Sequence, residues 1–366
     1  MDVPLTEPRT QFCRGLAPCS GSARNVLHQP VGTATVMKVL LKFFIVVLLL
    51  NGAVQAESLD PGEVSSFVEY MVKVYQFDPA ALQDLFSRTQ YSQRVIDDME
   101  RPAEALPWDK YRPIFMTSER IEGGRLFWEQ NRAALQRAED EYGVPAGIVV
   151  AIIGVETRYG RNTGNDRVLD ALATLAFNYP KRAGYFRDEL EQFLLLTREQ
   201  GIDPLSLQGS YAGAMGLPQF MPGSFRNYAV DFDHDGRIDI WNDPEDAIGS
   251  VANYLKQHGW EKGRQIAVPG QVTGNKYTDL LGDNMQAGIA PDELASYDVR
   301  PQEQIPAQEK VKLINLVKTD GNEIWLGLHN FYVITSYNHS QLYAMVVFQL
   351  CDEISRKHDS PPVASR

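Results

Sequence analysis

Residues 147–160 read GIVVAIIGVETRYG, and the fold turns on how they are read. An apolar run from Gly147 to Val155 ends abruptly in Glu156, followed by Thr157, Arg158, Tyr159 and Gly160. Pro145 just ahead of the run suits the first turn of a helix. The β-branched stretch 148–153 suits a buried strand equally well, and periodicity alone leaves both open. In either case Glu156 stands at the edge of a greasy segment. An apolar flank disfavours the ionised carboxylate and raises its pKa, which makes a proton donor near neutral pH. Cleaving a glycosidic bond needs such an acid beside the leaving oxygen. The plainer alternative is a surface glutamate at a helix end, paired with Arg158 or Arg161.

Outward from this segment the pattern is helical. Apolar positions recur at Val64, Phe67, Val68, Met71, Val72 and Tyr75, then at Leu82, Leu85 and Phe86, with a break at Asp78-Pro79. Residues 119–142 continue the pattern and stop at Gly143. Residues 185–200 form another helix ended by Gly201, and 245–259 a further one, introduced by Asp243-Pro244 and closed by Gly259. Between 262 and 330 the chain turns to short β-like runs such as Gln265 to Val268, and 330–355 reads as an aromatic-rich helix pair. The expected fold is mainly α (α+β), with an N-terminal helical region and a small mixed α/β insert late in the chain.

The first 56 residues do not belong to that body. From Met37 the chain reads MKVLLKFFIVVLLLNGAVQA: Lys38 and Lys42, an apolar core from Phe43 to Leu50, then Val54-Gln55-Ala56. This is the order of a secretory leader with a small-residue cleavage site, and its core is too short for a membrane span. Residues 1–36, rich in Pro, Gly and Ser, are expected to be a mis-assigned extension ahead of the true start at Met37. Cleavage after Ala56 would give a soluble periplasmic protein. A lipid anchor would need a cysteine after the apolar run, where the chain has Ala56-Glu57-Ser58. Export would also remove Cys13 and Cys19, leaving Cys351 with no internal partner for a disulfide. It removes five basic and two acidic residues and takes the formal charge to −15. Such a charge disfavours nucleic acid and anionic membrane surfaces as partners.

A second stretch, GSYAGAMGLPQFMPGSF (209–225), sets small residues around Gln219-Phe220. Small residues let backbone approach a ligand, while an amide and an aromatic ring offer one polar and one stacking contact. A buried structural turn is the competing reading.

Taken together, these stretches resemble the lytic murein transglycosylase B family, in its soluble, non-lipoprotein form. The matching pieces are GVETRYG (154–160), NYPKRAGYF (178–186), the 209–225 stretch, NYL (253–255), and SYNHS (336–340) followed by Tyr343. They stand in order from about residue 64 to 356. The resemblance implies a lysozyme-like catalytic core within residues 57–366. It also implies non-hydrolytic cleavage of the β-1,4 bond between N-acetylmuramic acid and N-acetylglucosamine in peptidoglycan. Glu156 would protonate the glycosidic oxygen, then take the proton of the muramoyl C6 hydroxyl as it closes a 1,6-anhydro ring. No cofactor is implied for this chemistry. The motifs near Glu156 offer Ser, Gln, Tyr and Asn in place of the second carboxylate a hydrolase uses. The resemblance further implies that Ser210, Gln219 and Phe220 line the groove, and that Tyr254, Tyr337, Asn338 and Tyr343 surround Glu156. Lys181, Arg182 and Tyr185 would meet the peptide stem or muramoyl lactate, and Tyr111 would be a further groove wall. Lys181 departs from the family's usual arginine and lacks the bidentate fork.

DFDHDGRIDIWNDPED (231–246) sets Asp231, Asp233 and Asp235 before Gly236, with the Arg237 carbonyl at the seventh place of an EF-hand-like order. Asn242 stands where a glutamate is expected, and by the resemblance Asp246 supplies the last carboxylate of a structural Ca²⁺ site. The alternative makes Asp243 an N-cap, Pro244 the first helical residue and Asp246 its third-position partner, without metal. Three functions stay open beside the transglycosylase: a hydrolytic lysozyme-like muramidase, a non-catalytic peptidoglycan-binding protein, and a calcium-binding export protein. The expected partners are glycan strands, with cell-wall synthesis proteins as candidates, and the expected state is a monomer without a stable membrane anchor.

Overall fold

The computed structural model describes residues 58–101, 106–281 and 288–359; the expected extension 1–36 and leader 37–56 lie outside them. Acidic and hydroxyl side chains cap the first helices. Asp60 accepts hydrogen bonds from the amides of Gly62 and Glu63 at the start of α1 (Pro61–Tyr75), Asp78 from that of Ala81 in α2 (Pro79–Ser87), and Ser92 from that of Val95 in α3 (Gln93–Met99). Next come α4 (Trp108–Phe115), α5 (Ser118–Gln130) and α6 (Arg132–Tyr142). The single pattern read over 119–142 is thus two helices that meet at Asn131, and α6 ends on Gly143 with φ 73°.

The ambiguous run is a helix, α7 (Ala146–Thr157), and every residue of it except Glu156 is buried. It packs against α5 and α6 and against two later helices, α11 (Pro244–Gln257) and α13 (Gln341–Asp359). A strand there would have no sheet to join, and its buried N–H and C=O groups would go unpaired; the helix satisfies them internally. Ile148, Ile152 and Ile153 are fully buried, each worth about 1.5–3 kcal/mol relative to exposure.

Beyond α7 lie α8 (Val168–Asn178), α9 (Ala183–Gln200) and α10 (Pro222–Tyr228). The sequence reading had no helix at α8, in which every residue but Asp170 and Asn178 is buried. Short strands β1 (Asp166–Arg167) and β2 (Gln208–Gly209) pair antiparallel ahead of α8 and of the 209–225 stretch. The late insert is a four-stranded antiparallel sheet in the order β4-β3-β6-β5, from β3 (Ala267–Val272), β4 (Val299–Pro301), β5 (Lys312–Lys318) and β6 (Gly321–Gly327). Among the described residues it also carries two 3-10 turns, Lys276–Leu280 and Pro291–Tyr297. It holds its own small core around Val268, Leu294, Val311 and Leu326. The aromatic pair expected at 330–355 is α12 (His329–Tyr337) followed by α13. Among the described residues no helix is long and apolar enough to cross a membrane.

Candidate active site

The turn that follows Glu156 begins where α7 stops. Arg158 and Tyr159 follow with φ of 52° and 62°, and Gly160 with 82°. The amides of Arg158 and Tyr159 reach back to Gly154 O and Ile153 O, a C-terminal cap that closes the helix at once. Two successive non-glycine residues in the left-handed region cost energy that the surrounding packing must hold. Tyr159 supplies that hold: its hydroxyl donates to Arg120 O at 2.8 Å, and its ring lies over Gly154 so closely that a Cβ there would overlap it. Thr157 is fully buried and its hydroxyl lies 3.0 Å from Leu217 O. Glu156 is therefore presented from a rigid helix end, half-buried.

Burial lifts the Glu156 carboxyl from its ordinary 4.5 to about 7, against the Tyr343 hydroxyl, which donates to Oε1 at 2.6 Å and pulls it down. No neighbouring carboxylate among the described residues adds to the shift. Glu156 pairs with neither Arg158 nor Arg161; Arg161 pairs with Glu119 at 3.2 Å on the surface. The surface ion-pair reading of this glutamate therefore fails.

An aromatic wall stands beside the carboxyl. Tyr343 lies parallel to Tyr337 with centroids 6.4 Å apart, and Tyr337 meets Tyr254 edge-on at 4.9 Å. Phe220 packs against both Tyr254 (5.6 Å) and Tyr337 (5.9 Å). Each of two phenols is pinned by a carbonyl: Tyr337 donates to Pro218 O and Tyr254 to Ser336 O, both at 2.6 Å. Asn338 ends α12 half-buried beside Tyr337, its side chain making no hydrogen bond among the described residues. Tyr111 is buried in α4 and packs on Trp108 and Phe115; its hydroxyl lies near enough to Tyr343 to raise that phenol's pKa further.

The 209–225 stretch forms a small hairpin, with Met215 and Phe220 exchanging backbone hydrogen bonds at 2.9 and 3.0 Å. Gln219 takes φ 52° at its tip, and its Nε2 donates to Thr163 O and Gly216 O. The amide nitrogen is thus used by the protein, and the oxygen remains for a ligand. Ser210 Oγ accepts from the amides of Ala212 and Ala214, which leaves its proton free to donate. Gly209 is needed at the base, because a Cβ would overlap Ala214 O.

The two cationic side chains take different partners. Arg182 covers the rings of Tyr185 (4.5 Å) and Phe186 (5.1 Å). Lys181 is exposed and turned to Glu100, so it shares no contact with Arg182 among those the structure shows. Sequence reading missed Glu189, one turn beyond Tyr185. Its Oε2 accepts the Gly223 amide at 2.8 Å, and burial raises its pKa, with Tyr185 as a hydrogen-bond partner. The i, i+4 spacing from Tyr185 was the available signal.

In the acidic loop the carboxylates of Asp231, Asp233 and Asp246 converge, with ligand-capable atoms within 4.8 Å of one another. Asp246 is buried in α11 and accepts from the Phe232 and Asp239 amides at 2.6 and 2.7 Å. Burial, and then the charges of Asp243 and Asp233, raise its pKa against those bonds. Asp235 turns the other way and accepts from the Arg237 amide, with the guanidinium alongside. Asp243 does cap α11 by accepting the Glu245 amide, but Asp246 faces the loop instead of completing a capping pair.

A family model described as Transglycosylase SLT domain matches residues 61–352. The chain is 46% identical over 296 residues to the membrane-bound lytic murein transglycosylase B of Escherichia coli K12, covering 78% of this chain and 80% of that protein. The crystal structure of the soluble lytic transglycosylase SltB1 from Pseudomonas aeruginosa is similar with a TM-score of 0.77 and 50% identity, over 81% of this chain and 100% of that one. The Escherichia coli lytic transglycosylase Slt35 in complex with calcium matches with a TM-score of 0.76 and 43% identity, over 85% and 99%.

Proposed function

The chain belongs to the transglycosylase SLT domain family and is a lytic murein transglycosylase; from that premise we propose that Glu156 is its single general acid and base. The observation that carries the reading is one half-buried carboxyl, with a pKa of about 7, beside Tyr343 and with no carboxylate neighbour adding to its shift. A group with that pKa is protonated in a useful fraction of molecules at neutral pH and can also take a proton back. Its proton passes to the glycosidic oxygen as the bond from muramoyl C1 breaks. The carboxylate left behind takes the C6 hydroxyl proton as O6 bonds to C1, so the product is a 1,6-anhydro ring and no water is consumed.

Phe220, Tyr254 and Tyr337 would pack on the sugar faces, with Ser210 Oγ, Gln219 Oε1 and Asn338 as hydrogen-bond partners. Arg182 and Tyr185 would take the acidic stem or lactate, with Lys181 further out and Tyr111 behind Tyr343. The loop is read as a structural calcium site. Asp231, Asp233 and Asp246 fit a hard divalent cation, since three converging carboxylates repel one another without one. Calcium in the similar Slt35 structure supports the same reading. Residues 37–56, with the pattern of a leader, make export to the periplasm part of this proposal.

Digestion of purified sacculi in water enriched in heavy oxygen tests the mechanism. Products are expected to end in unlabelled 1,6-anhydromuramic acid, one water lighter than a reducing end. Label at muramoyl C1 would replace the transglycosylase mechanism with hydrolysis.

A further inference from the structure

Behind the turn that follows Glu156, where α5 begins, lies a small cleft of about 100 Å³ lined by Thr117, Glu119, Arg120, Arg158, Tyr159 and Arg161. Its charges do not balance. Arg120 is 7% exposed, yet no carboxylate pairs with it among the described residues. One of its terminal nitrogens donates to Ile114 O at 2.8 Å, and its Nε is buried without any partner. Buried arginines are normally paired, because an uncompensated charge away from water is costly. Here burial, then the neighbouring Arg158 charge, press the Arg120 guanidinium below its usual range. Arg158 itself is exposed, and among the described residues its side chain has no hydrogen bond or ion pair. Among the described residues Arg161 has only Glu119, with side chains 62% and 72% exposed, a pairing weak enough to yield to a better partner.

We propose that this cleft is an oxyanion site, taking one carboxylate or phosphate group between Arg120, Arg158 and Arg161. An anion there adds to the partial compensation that Glu119 gives Arg120 and relieves its repulsion with Arg158. The planar guanidinium fork suits two-oxygen recognition of either group. The cleft also sits at the first turn of α5, where the helix dipole favours negative charge. Thr117 Oγ1 caps that turn by accepting the Arg120 amide, and its proton remains to donate. The cavity admits the head of such a group and little more, so the rest of any larger ligand would lie outside. An anion held there takes no part in the reaction assigned to Glu156.

Calorimetric titration and thermal shift on the full protein decide it, with N-acetyl-D-alanine as a peptide-terminal carboxylate, inorganic phosphate, and chloride at matched ionic strength. At least one oxyanion is expected to bind and raise the melting temperature where chloride does not. The tighter one shows whether a peptide carboxylate or a phosphate is the natural source. Arg158→Gln with Arg161→Gln, both at exposed positions, should weaken binding roughly tenfold or more through lost charge-assisted hydrogen bonds. Arg182→Ala, which alters the groove, should leave it unchanged. Arg120→Gln should abolish binding if it folds, and the exposed pair carries the test if it does not. Equal response to chloride, or unaltered oxyanion binding in the Arg158/Arg161 variant, would overturn the proposal.

Discussion

Glu156 and the acidic loop 231–246 put carboxyl groups under opposite conditions. At the end of α7 one carboxyl stands alone among apolar and phenolic side chains, and burial lifts its pKa to about 7. In the loop three carboxylates converge within 4.8 Å, two of them on or near the surface, with backbone amides directed at their oxygens. Isolation makes a group that can exchange a proton near neutral pH; crowding makes a group of oxygens that calls for a cation. The same side-chain chemistry is thus suited to two different tasks by surroundings alone. The regions are also joined, through Leu217. Its amide donates to Ile240 O of the loop at 2.9 Å, and its carbonyl accepts from the Thr157 hydroxyl next to Glu156. The loop therefore backs the hairpin that carries Gln219 and Phe220.

The largest expected effect falls on the isolated carboxyl. Glu156→Gln should lower turnover of sacculi by more than ~100-fold, since the amide cannot carry the proton, while glycan still binds. Turnover within a few-fold of wild type would take Glu156 out of the reaction. The crowded side should respond in stability first. Calcium at a hundred times its dissociation constant should add about 2.7 kcal/mol, read as a melting temperature that falls on chelation. Asp246→Asn should remove the calcium response. Through Leu217 the chelated enzyme should also lose some turnover, far less than Glu156→Gln does. A melting temperature indifferent to both chelator and added calcium would leave the loop as a capped turn.

The two regions were legible in the sequence for different reasons. The loop announces itself by composition, since aspartates alternating before Gly236 have few other uses. The contribution of Asp246 rested on the resemblance, and the structure brings its carboxylate to the loop because α11 starts at Pro244 and turns that side chain inward. Asp235 looked equivalent to its neighbours in sequence, but Arg237 two residues on offers it a nearer partner. Glu156 was visible as an acid at an apolar edge, whereas the choice between helix and strand for 148–153 was not. That choice is made by packing against α5 and α6 just before it and against α11 and α13, which are distant in sequence; together they leave no place for a sheet. Helix α8 was missed for a related reason: all of it but Asp170 and Asn178 is buried, so its polar side is too narrow to stand out from the apolar run.

A third effect, smaller than these, separates function from stability at Glu156. Its folded pKa is raised from 4.5 to about 7, so ionising it costs the fold. The cost is absent below about pH 4.5, grows as pH rises, and is complete above about 7. Glu156→Gln should therefore match the wild type near pH 4 and exceed it by about 1–3 kcal/mol at pH 8. Denaturant melts at the two pH values measure this. A variant no more stable at pH 8 than at pH 4, relative to wild type, would mean that the carboxyl is not isolated in the way described.

The smallest effect concerns Tyr343, whose hydroxyl donates to Glu156 Oε1 and favours the ionised form. Tyr343→Phe removes that donor and leaves the ring that stacks on Tyr337. The carboxyl pKa should then rise further, because burial is no longer opposed. Since the acid must be protonated to begin the reaction, activity falls as pH passes its pKa, and the alkaline limb of the profile should move to higher pH. Turnover at the optimum should drop roughly tenfold or less, the scale of one hydrogen bond to a charged group. The direction of the limb is the informative reading, because simple damage to the groove would lower the whole profile without moving it. A limb that stays in place, or moves to lower pH, would show that Tyr343 does not hold the ionised carboxylate and that the isolation of Glu156 is more complete than the structure depicts.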